Sequence, residues 1–167
     1  MTGERVAGDL RSALLGTAGL TAACLVALVL TLTRGPVTAT REQRVVVARL
    51  AAFALLAQAA HFAEELATGF NRQFPEVLGL APWSAQFFVA FNAVWLAIWS
   101  LSIPAVGCGF RPALFPLWFL GIGSVLNGVA HPLLALRAGG YFPGLLTCPL
   151  VAVAGVLLLG GLARLTR

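Results

Sequence analysis

Lysine is absent from this 167-residue sequence, and all eleven basic residues are arginine. Charge of either sign is scarce, at 10% of residues against 59% hydrophobic, where a soluble domain carries about a quarter. With a mean hydropathy of +0.91, there is too little polar surface to clothe a water-soluble globule, which leaves a lipid-facing exterior. The three cysteines (Cys24, Cys108 and Cys148) lie far apart in apolar surroundings and form no C-x-x-C pair. That excludes a disulfide framework and reads as small buried hydrophobes. No Walker loop, dinucleotide fingerprint, or Ser or Cys with a His at catalytic spacing occurs, which disfavours nucleotide chemistry and covalent hydrolysis. The net charge of +5 is not gathered into a basic stripe; scattered arginines at segment ends suit lipid headgroups and argue against nucleic acid.

What the sequence has is long apolar runs. Five are long enough to cross a hydrocarbon core of about 30 Å as helices, at about residues 13–32, 45–68, 82–106, 112–136 and 145–163. The runs are too long for strands and lack period-two alternation. The reading is all-α: a polytopic membrane bundle of five transmembrane helices in one domain over residues 1–167, without internal repeats or an appended soluble domain. Arg34-Gly35-Pro36 ends the first span, Gly69 closes the second, and Pro82 suits the first turn of the third. The first span resembles a secretion signal only superficially. It is long for one, Glu4 and Asp9 dilute its flanking charge, and no convincing small-x-small cleavage site precedes Arg34. With the N-terminus outside, seven arginines (34, 41, 44, 49, 111, 164, 167) fall on the cytoplasmic side and four (5, 11, 72, 137) outside. The positive-inside rule then favours N-out and C-in in the cell membrane. Trp83 near a helix start suits an interfacial belt, and Gly121, Gly123 and Gly128 permit close helix approach.

The misplaced polar residues carry the chemistry. Gln58, His61, Glu64 and Glu65 interrupt the second span; at about 100° per residue they share a sector about 120° wide, which must face the bundle interior or the aqueous boundary. Ser124, Asn127 and His131, spaced three and four apart in the fourth span, also share a face. The two histidines are the only ones in the chain. The second and fourth spans run the same way, and His61 and His131 lie about 16 and 19 residues into them. At about 1.5 Å per residue the rings come within about 5 Å in depth, which predicts one composite site in the half of the membrane where both spans end. Tyr141, the only tyrosine, and the turn Pro143-Gly144 open on that side, so Tyr141 is positioned as a lid or hydrogen-bond donor. Charged groups at such depth cost about 2.5–3.5 kcal/mol each, which makes the cluster a functional expectation.

His61-x-x-Glu64-Glu65, Asn127-x-x-x-His131 and Tyr141-x-Pro143-Gly144 together resemble the signature of the HXXEE family of hydrophobic membrane proteins, over about residues 45–160. The resemblance implies that these residues matter together and supplies no reaction.

Three readings of the chemistry follow. In the leading one, the chain is an intramembrane acid/base enzyme acting on a lipid-soluble substrate, with isoprenoid or terpenoid isomerisation or cyclisation as the model reaction and no cofactor. Glu64 or Glu65 donates the proton, His61 and His131 set its state, and Asn127 orients substrate or histidine. Gln58, Asn92, Ser124 and the aromatic rings of Phe87, Phe88, Phe91, Trp95 and Trp118 line the substrate, the rings facing a carbocation. In the alternative, a divalent metal (Zn, Fe or Mn) is held by His61, Glu64 or Glu65, and His131 in an oxidoreductase or hydrolase. A small proton-coupled transporter is a third reading with little support from five spans lacking an inverted repeat. The expected partners are the bilayer and a hydrophobic small molecule, with a homo-oligomer left open.

Overall fold

The structure, a computed structural model, describes residues 17–34 and 39–166. Among them are six α-helices: α1 (Ala18–Thr33), α2 (Arg41–Thr68), α3 (Phe70–Val77), α4 (Ala85–Gly107), α5 (Leu114–Ala138, preceded by a 3-10 turn at Arg111–Ala113) and α6 (Cys148–Leu165). Four of these stretches, Arg41–Thr68, Ala85–Gly107, Arg111–Ala138 and Cys148–Leu165, are long and apolar enough to cross a membrane. The apolar α1 is shorter, with 16 residues. The first few residues of the span expected at 13–32 lie outside the described residues.

Local chemistry explains where the boundaries moved. α2 begins four residues before the expected start because Thr40 and Gln43 form a reciprocal capping box, which satisfies two orphan N–H groups. It ends at Gly69, whose φ of 83° closes the last turn. Pro82 does not enter a helix; Ser84 caps α4 instead, its side chain accepting from the Phe87 amide. The expected loop at residues 69–81 contains α3, with Pro75 inside it. A proline cannot bond the carbonyl four residues back, and the freed Asn71 oxygen accepts the Trp83 amide at 2.9 Å. The Asn71 side chain donates to the Trp83 carbonyl, also at 2.9 Å. This two-bond clasp ties α3 to the segment entering α4.

The outside is apolar, and a few polar side chains are buried within an otherwise apolar core. Leu25, Leu32, Leu56, Leu101, Leu133, Leu136 and Leu146 point outward, while Gln58, His61, Glu65, Ser124 and His131 are buried. α5 lies on α6 through glycines: a methyl at Gly155 would stand 2.8 Å from both the Gly121 carbonyl and the Ser124 Cβ, so the backbones approach as small residues allow. α6 and α4 also flank α2, and α1 packs on α5. Two arginines first read as topology signals are helix caps as well. Arg111 donates to the carbonyls of Thr31, Leu32 and Arg34 at the end of α1. Arg44 donates to Gly107 at the end of α4 and to Ala39. Both satisfy carbonyls that a helix terminus leaves without partners.

Candidate functional site

α2 and α5 run in the same direction and bring His61 and His131 together, as their depths predicted. The two Nε2 atoms are 3.1 Å apart, with ring centroids at 4.6 Å and planes at 84°. Glu65 Oε1 lies 3.5 Å from His61 Nε2 and 3.3 Å from His131 Nε2. His61, His131 and Glu65 are 0%, 2% and 5% exposed, so the three atoms meet in a closed interior.

The loop between α5 and α6 decides which way each imidazole points. His131 Nδ1 is 2.6 Å from the Pro143 carbonyl, which only accepts, so Nδ1 carries the hydrogen. His61 Nδ1 is 2.7 Å from Thr147 Oγ1. That hydroxyl gives its one hydrogen to Glu64 Oε2 at 2.6 Å, a carboxylate being the stronger acceptor, and therefore accepts from His61. The network thus assigns the hydrogen to Nδ1 in both neutral rings and turns both Nε2 lone pairs toward Glu65.

Glu64 and Glu65 are adjacent in sequence but have separate tasks. Glu64 accepts four hydrogen bonds: Oε1 from the Tyr141 hydroxyl at 2.6 Å and the Leu146 amide at 3.0 Å, Oε2 from the Thr147 amide at 2.9 Å and its hydroxyl. It fastens the loop to α2. Glu65 belongs to the centre. Gly144 passes so close that a methyl there would lie 2.6 Å from His131 Nδ1 and 2.8 Å from His61 Cε1.

Tyr141 is therefore a donor to Glu64 rather than a cover over the imidazoles, and it is 47% exposed. Partial burial, then the bond to Glu64, holds its phenol above the ordinary value of about 10. A pKa raised on folding contributes stability that is present below the ordinary value and is lost as pH rises through the raised one. Being the only tyrosine, it gives an unmixed phenolate absorbance. Its titration midpoint is expected above that of a free tyrosine and to fall toward it in Glu64→Ala; an ordinary midpoint in the unaltered protein would contradict the bond.

Not every expected residue joins the site. Phe88 stays near it, tilted against Phe62 and stacked with Phe70, and Phe70 lies 5.5 Å from the His131 ring. Phe87 and Phe91 instead continue a ladder from Trp83, and Phe87 is 41% exposed. Trp95 packs on Trp99 and Phe119. Trp118 lies under the Arg34 guanidinium; thirteen residues before His131, it is about 20 Å away along α5. These four rings do not line the centre. Asn92 bonds back to the Phe88 carbonyl of its own helix. Asn127 does not orient the histidines, since Thr147 and Pro143 hold their Nδ1 atoms. Ser124, about 10 Å along α5 from His131, is buried against Gly155 with its hydroxyl unpartnered. Gln58 is buried one turn from His61.

Four contributors had not been singled out in this role: Thr147, the Leu146 amide, the Pro143 carbonyl and Phe142, which is 0% exposed and 6.1 Å from the His131 ring. Thr147 had one visible signal, a hydroxyl in an otherwise apolar stretch. Backbone groups leave none. On the same membrane half, an apolar surface groove of about 420 Å³ is lined by Pro132, Ala135, Leu136, Gly139, Gly140 and Leu145.

A family model described as "Protein of unknown function with HXXEE motif" matches residues 52–159. No curated protein and no solved structure matches.

Proposed function

This chain belongs to the HXXEE family, and we propose that it is a membrane-embedded enzyme acting on a lipid-soluble substrate at the centre formed by His61, Glu65 and His131. One observation carries the reading. Two imidazoles in a fixed tautomer and one carboxylate direct their free lone pairs to a common point inside an apolar bundle. A purely structural histidine would turn its second nitrogen to a donor. Convergence of unpaired acceptors in a low-dielectric interior is costly and serves to hold an electron-poor species.

The surroundings suit a lipid-soluble reactant. Phe70, Phe142 and Phe88 enclose the His131 side. Pro132 and Leu145, which help to line the apolar groove, are the chain neighbours of His131 and Gly144, so one layer of backbone separates groove and centre. A substrate chain in the groove would bring its head to the loop at residues 141–147. If the step is acid/base, as in alkene isomerisation, the carboxylate free to take up and return the proton is Glu65, because both Glu64 oxygens are committed to the loop.

The test is an untargeted comparison of total lipid extracts from cells carrying the wild-type chain, an empty vector or His131→Ala at matched expression. At least one lipid-extractable species should change with wild type alone. Identical profiles for wild type and empty vector would sink the proposal.

A further inference from the structure

We propose that His61 Nε2, His131 Nε2 and Glu65 Oε1 are the ligands of one divalent transition-metal ion. The inference rests on the same centre as the enzymatic reading, but its argument is geometric and concerns the ion alone.

Three ligand-capable atoms face one another at 3.1, 3.3 and 3.5 Å, and the donor assignment above leaves neither imidazole Nε2 a hydrogen to offer. Metal–ligand bonds of about 2.1 Å place ligand atoms about 3.0 Å apart at right angles and about 3.4 Å apart at tetrahedral angles. Two of the observed separations fall in that interval, and the third, His61 to Glu65 at 3.5 Å, lies about 0.1 Å beyond it. A single shared proton would join only one pair and leave the third atom facing a lone pair. One cation satisfies all three.

The supporting partners are those of a metal site. Ligating imidazoles usually donate the other ring N–H to a carbonyl or, directly or indirectly, to a carboxylate. His131 donates to the Pro143 carbonyl, and His61 donates to Thr147, whose hydroxyl in turn donates to Glu64. Charge agrees as well. Among the described residues, no arginine pairs with Glu64 or Glu65, and the only ion-pair contacts are those of Glu65 with the two imidazoles. Two carboxylates and neutral imidazoles balance a +2 ion, which matters where an uncompensated charge is expensive. Two imidazoles and one carboxylate select Zn²⁺, Fe²⁺ or Mn²⁺ over Mg²⁺ or Ca²⁺, which prefer all-oxygen sites. Three protein ligands are also the usual complement of a catalytic ion that keeps a position for water or substrate, where it acts as a Lewis acid.

The experiment uses the full chain in detergent, purified without chelators and through a tag free of histidine, because the chain's own histidines are only two. Elemental analysis should give about one Zn, Fe or Mn per chain. After stripping, Co²⁺ should bind with visible d–d absorption and be displaced by Zn²⁺. Thr147→Val keeps the three ligands and removes the hydroxyl that links His61 to Glu64, so it should bind Co²⁺ about 10–100-fold more weakly; Glu65→Gln should lose the absorption. A wild-type chain without stoichiometric metal that also fails to bind Co²⁺ or Zn²⁺ at micromolar concentration would overturn the proposal, whatever the variants do. The outcomes separate from the lipid comparison: a metal-free chain that still alters lipids retires the ion and keeps the enzyme, and a metal-bound chain that alters none does the reverse.

Discussion

Gly144→Ala is expected to cost about 2–6 kcal/mol and to dismantle the centre. The new methyl would meet three ring atoms at once, His131 Cε1, His131 Nδ1 at 2.6 Å and His61 Cε1 at 2.8 Å. Neither ring can swing aside cheaply, since Pro143 and Thr147 hold their Nδ1 atoms. Overpacking of this kind costs about 1–3 kcal/mol. The φ of 87° at this position adds strain of about 1–3 kcal/mol for a residue bearing a side chain. Gly140→Ala is the matched control, because a methyl there meets nothing within 4 Å. Thermal unfolding in detergent should show a large drop for the first variant and almost none for the second. Equal behaviour of the two would mean that the loop is not packed against the rings as described.

Glu64→Gln, usually a mild substitution, is expected to be nearly as damaging as Glu64→Ala. Each Glu64 oxygen accepts two hydrogen bonds, whereas a glutamine offers one oxygen and one NH₂ group. Either orientation sets that NH₂ group against two donors: Tyr141 and the Leu146 amide, or the Thr147 amide and hydroxyl. Hydrogen bonds to a charged acceptor contribute about 1.5–3 kcal/mol each when sheltered. With Glu64 only partly buried, a loss of about 2 kcal/mol in loop stability is reasonable, which corresponds to roughly thirtyfold faster exchange. Hydrogen exchange at the Leu146 and Thr147 amides reads it directly. Unchanged protection in Glu64→Gln would show that the carboxylate does not secure the loop.

Helical phase and depth made half of the site legible. Two stripes of polar residues in apolar runs could face only inward, and two spans of the same direction could meet only if their histidines matched in depth. Both conditions were visible in Gln58–Glu65 and Ser124–His131. The division of labour between Glu64 and Glu65 was not, because it depends on a loop whose amides and carbonyls carry no side-chain signature. The aromatic residues misled for a related reason. Aromatic side chains in a membrane chain also pack against one another where helices cross, as Trp95 does on Trp99 and Phe119, and Trp118 lies under Arg34. The helix starts moved with capping chemistry: Thr40 and Gln43 lengthened α2, and Ser84 rather than Pro82 began α4. The short α3 was hidden by its own proline, whose cost is met by the clasp between Asn71 and Trp83.

α1 packs on α5, its end fastened by the single guanidinium of Arg111, and it precedes the stretch that matches the family. The four long helices return the chain to the side where α2 begins, and a crossing by α1 would add a fifth. The side on which Ala18 lies therefore depends on α1. The leaflet that the centre faces does not. The loop at 141–147 is followed by one helix, so the end of α6 at Leu165 always emerges opposite the centre. A reporter at that end reads the leaflet of the chemistry by inversion, whichever way α1 is threaded.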